Sequence, residues 1–409
     1  MTSIKLAERL DRLPPYLFAQ IDAARERARA RGLETVSMGI GDPDRDPPEW
    51  VRAILAEEVM REGSHRYPSY KGHPQLHAAA LAYVERSFGV GGLGDANVMT
   101  TIGSKEGIAN LVTALVNPGD VIAMPDPMYP VFGTMSRLHG AETVSLPVHP
   151  STDFMPDPRQ YLSSEQEARL RVLFINYPHN PTGQIATRAY LQSLVDYARE
   201  RGCVIVSDMA YGEIFFGGAG GPAGQTSAGT AARPTKPDSI LAMDGALDCA
   251  IEMHSFSKSF NMTGWRVGFA VGNAQLIGGL LQVKSNIDSG CFNAIQLAMA
   301  RVLDDPRCDP FLAENRAHYK QRMEKVIGAL EGMGIKVHRP GASIFVWCET
   351  PGNVPSIDWC SRLLDETGLV VSPGAAYGQY GEGFFRISLS TPDADIDKAL
   401  DKLREFVAR

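Results

Sequence analysis

From about Asn97 the chain alternates short apolar runs with longer segments whose apolar positions recur at helical spacing. Val98–Ile102, Asp120–Met124, Glu142–Leu146, Arg171–Asn176, Cys203–Ser207, Cys249–Met253 and Val267–Val271 are predicted strands. Ser104–Val116 and Arg188–Arg201 are predicted helices. Strands that alternate with helices build a mainly parallel sheet with helices on its faces.

The flanking texture differs. Leu6–Arg31 reads as a helix broken by Pro14-Pro15 and ended by Gly32. A short strand Val36–Ile40, the turn Gly41-Asp42-Pro43-Asp44, a helix Pro48–Arg61, the loop Tyr67–Gly72 and a helix through Ser87 follow. Beyond residue 300 come a long charged helix Phe311–Gly332, strands Ile335–Val337, Ala342–Trp347 and Phe384–Ser388, and a terminal helix Asp393–Val407. The expected fold is α/β: a large domain over 48–299 with the mainly parallel sheet, and a smaller α+β domain over 300–409. Residues 1–47 would form an N-terminal arm and part of that smaller domain. Gly217–Thr235, rich in Gly, Ala, Ser and Pro, reads as a surface insertion, because the strand pattern resumes at Cys249. Gly89–Gly94 fits G-x-G-x-x-G, but it follows a helix instead of a strand, so it is a turn and not a dinucleotide site.

With 409 residues, 44% of them apolar, the chain can bury a large core. A net charge of −7 with scattered Lys and Arg argues against nucleic-acid binding. Six cysteines without a C-x-x-C pair argue against a zinc site; Cys203 and Cys249 fall in strand-like runs and read as core. The first residues lack a signal-peptide apolar segment and no stretch is long enough to span a membrane, so a reducing cytoplasm is the expected setting.

Ser255-Phe256-Ser257-Lys258 and Trp265-Arg266 place a lysine at a strand end, flanked by hydroxyls and followed by an arginine. A partly desolvated lysine there offers a neutral amine as a Schiff-base nucleophile. Ser255, Ser257 and Arg266 suit a phosphate monoester. An aldehyde for the lysine and a phosphate for its neighbours together describe pyridoxal 5′-phosphate. Gly103-Ser104-Lys105 opens a helix and forms a second anion site, or Ser104 is simply an N-cap. Asp208 ends a strand, where it would pair with a protonated pyridine nitrogen or cap the next helix. Tyr129 would stack on a planar ring or serve packing. Asn180, in Asn176-Tyr177-Pro178-His179-Asn180-Pro181-Thr182-Gly183, would cap the turn or donate to a ligand, and His179 reads as incidental. Arg386, amid apolar strand residues, needs a partner: a substrate carboxylate or a structural salt bridge.

These motifs in this order resemble those of the class I/II aminotransferase family of fold-type I pyridoxal-phosphate enzymes, over almost the whole chain. The resemblance implies Lys258 as the Schiff-base residue and proton shuttle, Asp208 on the ring nitrogen, and Asn180 and Tyr211 on the ring hydroxyl oxygen. It implies Tyr129 on the ring face, and Ser104, Lys105, Ser255, Ser257 and Arg266 on the phosphate. Tyr67 would reach that phosphate from a partner subunit of a homodimer. Arg386 would take the substrate α-carboxylate, with Gly41, Asn180 and Asn293 completing the substrate contacts. Phrases such as His65-Arg66-Tyr67-Pro68-Ser69-Tyr70, Asn261-Met262-Thr263-Gly264-Trp265-Arg266 and Val283–Gly290 are similar to the branch that transfers the amino group of LL-diaminopimelate to 2-oxoglutarate in lysine biosynthesis. Lys71 stands where such relatives often carry Glu, a change of sign that favours the alternative of an alanine-type or broad-specificity aminotransferase. A C–S lyase is a further alternative on the same scaffold.

Overall fold

A computed structural model describes residues 4–13, 17–217 and 236–409. Pro14-Pro15 and the Gly/Ala/Ser-rich segment beyond Gly217 lie outside the described residues. The strands are β1 (Val36–Ser37), β2 (Val98–Thr101), β3 (Val121–Asp126), β4 (Glu142–Pro147), β5 (Leu170–Ile175), β6 (Val204–Asp208), β7 (Ala250–Ser255), β8 (Gly268–Gly272), β9 (Val337–His338), β10 (Phe345–Glu349), β11 (Leu369–Val370), β12 (Ser372–Pro373) and β13 (Phe384–Ser388).

β2 to β8 form one sheet in the order β2-β8-β7-β6-β5-β3-β4. All run parallel except β8, which is antiparallel to both of its neighbours. Its central strands are buried on both faces, as parallel strands covered by helices must be, and they read as continuous apolar runs for that reason. The carboxyl ends of β2, β3, β5, β6 and β7 therefore lie along one edge. Ile102, Asp126, Asn176, Asp208 and Ser255 stand there, where ligands bind in open α/β sheets. Along that edge β3 keeps its pairing with β4 through Asp126 but pairs with β5 only as far as Ala123. Pro125 follows, with no N–H to give the ladder, so the edge opens between β3 and β5.

β12-β13-β10-β9 form an antiparallel sheet, and β1 pairs in parallel with β11, joining the start of the chain to its last third. Two apolar clusters pack on the main sheet, fed by alternate residues of its strands, and another lies among Val36, Tyr319, Phe345, Trp359, Phe385 and Leu403. Cys203 and Cys249 are buried among the apolar residues, as expected; all six cysteines are free and buried.

The strand expected at Ala342–Trp347 starts only at Phe345. Ser343 adopts φ 76°, a left-handed conformation that interrupts extended chain, and its N–H donates to the Ile214 carbonyl at 2.7 Å. Val36–Ile40 pairs only at Val36–Ser37, because its partner β11 is equally short. Four α-helices of eight residues or more had no sequence expectation: Val131–Leu138, Ala274–Ile287, Asn293–Asp304 and Ser356–Thr367. The glycine run 89–94 is the expected turn: Gly89 closes the helix Pro74–Phe88 at φ 72°, and a short 3-10 turn Asp95–Asn97 follows.

Candidate active site

β7 delivers Lys258. The strand ends at Ser255, whose Oγ accepts the Ser257 N–H at 3.2 Å and so starts the short helix Phe256–Ser259. Lys258 sits on that helix, and its ammonium donates to the Gly41 carbonyl. Burial pushes its pKa down to about 8, against the pull of Asp42 and with the added push of Arg386 and Arg266. The lysine thus carries a far larger neutral fraction near physiological pH than an exposed lysine does, though the ammonium still predominates. Two arginines are close enough to matter to it, and Asp42 adds a carboxylate that sequence reasoning had not singled out.

β6 delivers Asp208, which is 5% exposed. Burial raises its carboxyl to about 7, while the Ala210 N–H, donating at 3.3 Å, and nearby His254 hold it down. β6 runs into a turn over 210–213 and not into a helix, so the helix-capping role weighed for Asp208 does not hold and the Ala210 bond closes a local turn. No described cation forms an ion pair with it, and a buried carboxylate of this kind calls for a positively charged donor.

The turn after β5 is braced by Asn176, whose Oδ1 accepts the Asn180 N–H at 2.9 Å and whose amide donates to the Asp208 carbonyl at 2.7 Å. Asn180 Oδ1 in turn accepts from Arg386 Nη1 at 2.9 Å, leaving its amide nitrogen to donate elsewhere. His179 is fully buried on Thr182 at 2.8 Å, and burial drives its pKa down to about 3, as befits a neutral structural ring. Tyr211 is buried; its phenol is pushed up by burial and drawn back chiefly by Arg386.

Arg386, 2% exposed, lies between Phe345, 3.8 Å from its guanidinium carbon to the ring centre, and Tyr377 at 4.9 Å. Its Nη2 donates to the Gly39 carbonyl at 2.6 Å, and its Nε has no partner. No carboxylate among the described residues pairs with it, so the salt-bridge account of Arg386 falls away. Gly41 packs on the same Phe345: a Cβ there would stand 2.5 Å from the ring.

The main-sheet register aligns Thr101 and Ser255 with Gly268 on either side. Beyond that edge Gly103, at φ 111°, precedes the helix Ser104–Leu115. Gly103, not Ser104, is the N-cap, so the capping role weighed for Ser104 does not hold. A Cβ at Gly103 would stand 2.6 Å from Arg266 Nη2, which locates the guanidinium over the helix start. Arg266 is itself left-handed, φ 56°, with Nη1 donating to the Thr263 carbonyl at 2.9 Å. Ser104 and Ser257 are buried; Lys105 is exposed. Tyr129 is half-buried just after β3.

Tyr67 and Asn293 stand apart. Tyr67 is 87% exposed, Asn293 donates to the neighbouring Arg66 carbonyl at 3.4 Å, and neither bonds to Lys258, Asp208 or Arg386. Lys71 is tied down, its ammonium on the Asp95 carboxylate and carbonyl, both at 2.5 Å, with His77 on the other carboxylate oxygen at 2.7 Å. Phe345, Tyr377, Asp42 and Asp126 were missed by sequence reasoning. Only the glycines around Tyr377 marked a tight turn there.

A partly neutral lysine, a buried carboxylate short of a cation, a buried guanidinium short of an anion, and a helix start facing a second guanidinium fit the parts of pyridoxal phosphate and an amino acid. Among the described residues no cluster of metal-binding side chains accompanies them. The family model for aminotransferase class I and II matches residues 34–403. The chain is 41% identical over 406 residues to the LL-diaminopimelate aminotransferase of Oleidesulfovibrio alaskensis, covering 98% of this chain and 99% of that one. It is 40% identical to the enzyme of the same name from Gloeobacter violaceus, with 98% of each covered. Among solved structures, substrate-bound BacF from Bacillus subtilis superposes with a TM-score of 0.90 at 26% identity, over 99% of this chain and 98% of that one. Thermus thermophilus aspartate aminotransferase with maleate gives 0.87 at 25%, over 98% and 100%. A lysine, a carboxylate and a guanidinium brought to one sheet edge, in a chain matched from end to end by these proteins, make this protein a member of the class I and II aminotransferases, enzymes that work with pyridoxal phosphate.

Proposed function

We propose that the enzyme transfers an amino group between LL-diaminopimelate and 2-oxoglutarate, in lysine biosynthesis, as a cytoplasmic homodimer with shared active sites. The observation that carries the substrate is the likeness to enzymes of that name over essentially the full length of both chains. Lys71 no longer argues against it, because its charge is taken up by Asp95 and is not presented to a ligand. Residues 48–299 are read as the cofactor domain, with 1–47 and 300–409 as the smaller one. No helix among the described residues is long and apolar enough to cross a membrane, in keeping with the cytoplasmic reading.

Bound pyridoxal phosphate supplies an aldehyde for the amine and a ring that accepts the electron pair left at the α-carbon. Arg386 binds and orients the α-carboxylate through its unpartnered Nε edge. Lys258, neutral in part because it is buried, takes the proton from the α-carbon and returns it one position away. Asp208 keeps the ring nitrogen protonated, while Asn180 and Tyr211 hold the ring oxygen. Ser104, Lys105, Ser255, Ser257 and Arg266 hold the phosphate, joined by Tyr67 from the partner, and Tyr129 covers the ring. Gly41 leaves room for the substrate beside Phe345, and Asn293 contributes a polar contact from the partner side.

The test is amino transfer to 2-oxoglutarate by the cofactor-loaded protein from LL-diaminopimelate, L-alanine, L-aspartate and an aromatic amino acid, side by side. LL-diaminopimelate should lead by orders of magnitude in kcat/KM. A lead by L-alanine, or similar rates with all four, would replace this substrate with the alanine-type or broad-specificity alternative.

A further inference from the structure

We propose that Asp126 is a positioning residue for the substrate-carboxylate site, fastening the loop Gly374–Gly381 to the end of β3 so that Tyr377 stays seated on Arg386. This rests on the aminotransferase reading of Arg386 given above.

Asp126 is the last residue of β3 and is 3% exposed. No cation among the described residues pairs with it. Its carboxylate instead accepts the Ser145 hydroxyl at 2.8 Å and the Tyr380 N–H at 3.0 Å. Burial pushes its pKa up, and these donors, with the Gln379 N–H, pull it down. Three of the atoms that fix this charge therefore belong to two places: one to β4, the others to a loop more than 250 residues away in sequence.

The loop is shaped for the carboxylate. It consists of two short turns, Gly374–Tyr377 and Gln379–Gly381, joined at Gly378. Gly378 has φ 146°, and a Cβ there would overlap the Asp126 carboxylate. Two residues beyond Asp126, the Met128 N–H donates to the Tyr377 carbonyl at 2.8 Å. The loop is thus held on both sides of Gly378 by one strand end.

What the loop carries explains the investment of a buried charge. Tyr377 is 2% exposed and packs its ring 4.9 Å from the Arg386 guanidinium carbon, which also lies 3.8 Å from the Phe345 ring. Phe345 and Arg386 both belong to paired strands, β10 and β13, and cannot shift independently. Tyr377 has no strand to hold it; its ring packs edge-on to Trp347 and the Ala375 N–H donates to Ser356 Oγ at 3.1 Å, and the contacts at Asp126 and Met128 fasten the other side of its loop. The plane of the guanidinium, and hence the direction of its free Nε–H, follows from that stack. The same turn leads in three residues to Tyr129, so the cover of the cofactor ring and the cover of the carboxylate site share one anchor.

The holoenzyme and its Asp126→Ala, Asp126→Asn and Gly378→Ala variants separate this role from simple structural support. Asp126→Ala should raise KM for both amino donor and keto acid by about tenfold or more, with kcat within about threefold and the cofactor absorbance band unchanged. Asp126→Asn keeps one oxygen for the Tyr380 N–H and should recover most of that loss. Unchanged KM in Asp126→Ala, a defect confined to kcat or cofactor content, or no rescue by Asn would overturn the assignment. If Asp126→Ala does not fold, Gly378→Ala, which acts from the loop side, decides by the same KM criterion. A wild-type enzyme that transferred no amino group would sink the functional reading and this assignment together; wild-type turnover beside an unaltered Asp126→Ala would sink this assignment alone.

Discussion

Asp208 is a residue whose cost in the empty site is the measure of its use in the filled one. Burial pushes its carboxyl up to about 7, against 3.8 for an exposed aspartate. Between those values the folded chain holds a proton that the unfolded chain has lost, so stability falls as pH rises through that window. Above about pH 7 the penalty is fully present, on the order of a few kcal/mol; below about pH 4 it is absent. In cofactor-free protein, Asp208→Asn should therefore be more stable than wild type at pH 8, with the difference closing as pH falls towards 4. Urea unfolding across that range measures it, and a constant difference would show that desolvation of Asp208 is not the cause. With cofactor bound the order should invert, because the ring N–H meets the carboxylate. Asp208, Lys258, Arg266 and Arg386 were legible in the sequence because each is a charged residue set in an apolar or strand-end context that leaves it unexplained. Tyr377 and Phe345 were not: an aromatic in an apolar run reads as core, and only the fold shows that these two enclose a guanidinium.

At the scale of elements, the site depends on a turn, Gly41–Asp44, that belongs to no large element yet touches several. Gly41 accepts from Lys258, Asp42 Oδ1 accepts the Thr263 hydroxyl at 2.5 Å, and Asp44 takes both Nη atoms of Arg322 at 2.7 and 2.8 Å. Arg322, on the long helix Cys308–Gly332, also donates to Asp393 at 2.8 Å, at the start of the helix Asp393–Val407, and to the Leu389 carbonyl at 2.9 Å. It is 4% exposed, so removing it strands the largely buried Asp44 without a counter-charge. Arg322→Ala should lose about 3 kcal/mol of stability, and Arg322→Lys should recover only part, since an ammonium cannot reproduce the fork. Urea midpoints at fixed cofactor concentration test this; a loss below about 1 kcal/mol would mean that the turn holds itself. Strand–helix alternation made the main sheet legible, because strands buried on both faces write themselves as apolar runs. The helices Ala274–Ile287 and Asn293–Asp304 escaped notice, both lying where the strand–helix reading had stopped at Val271. Nor does local sequence reveal that β8 runs antiparallel, since strand direction is set by which connection returns the chain to the sheet.

At the scale of the whole molecule, the segments beside Arg266 leave large apolar side chains exposed. Tyr67 is 87% exposed, Ile287 63%, and Tyr70 and Phe292 49% each, an exposure that a second copy docked there would remove. These segments meet through the backbone: a Cβ at Gly290 would stand 2.7 Å from the Ser69 carbonyl, and the Cys291 thiol lies 3.7 Å from the Arg266 carbonyl. If two copies meet there with two-fold symmetry, Tyr67 of each serves the Lys258 of the other. Mixing then makes a distinctive prediction. A hybrid of Lys258→Ala and Tyr67→Ala subunits has one site with both lesions and one with neither. Two inactive or weakened proteins, unfolded and refolded together with cofactor, should regain up to about a quarter of wild-type activity, since half of the dimers are hybrids and half of their sites intact. If Lys258 and Tyr67 acted within one chain, every hybrid site would carry one lesion and mixing would restore nothing. Light scattering on the same samples supplies the companion reading: the mass of two chains in wild type, Lys258→Ala and the mixture alike, so that a failure to regain activity cannot be blamed on a failure to pair.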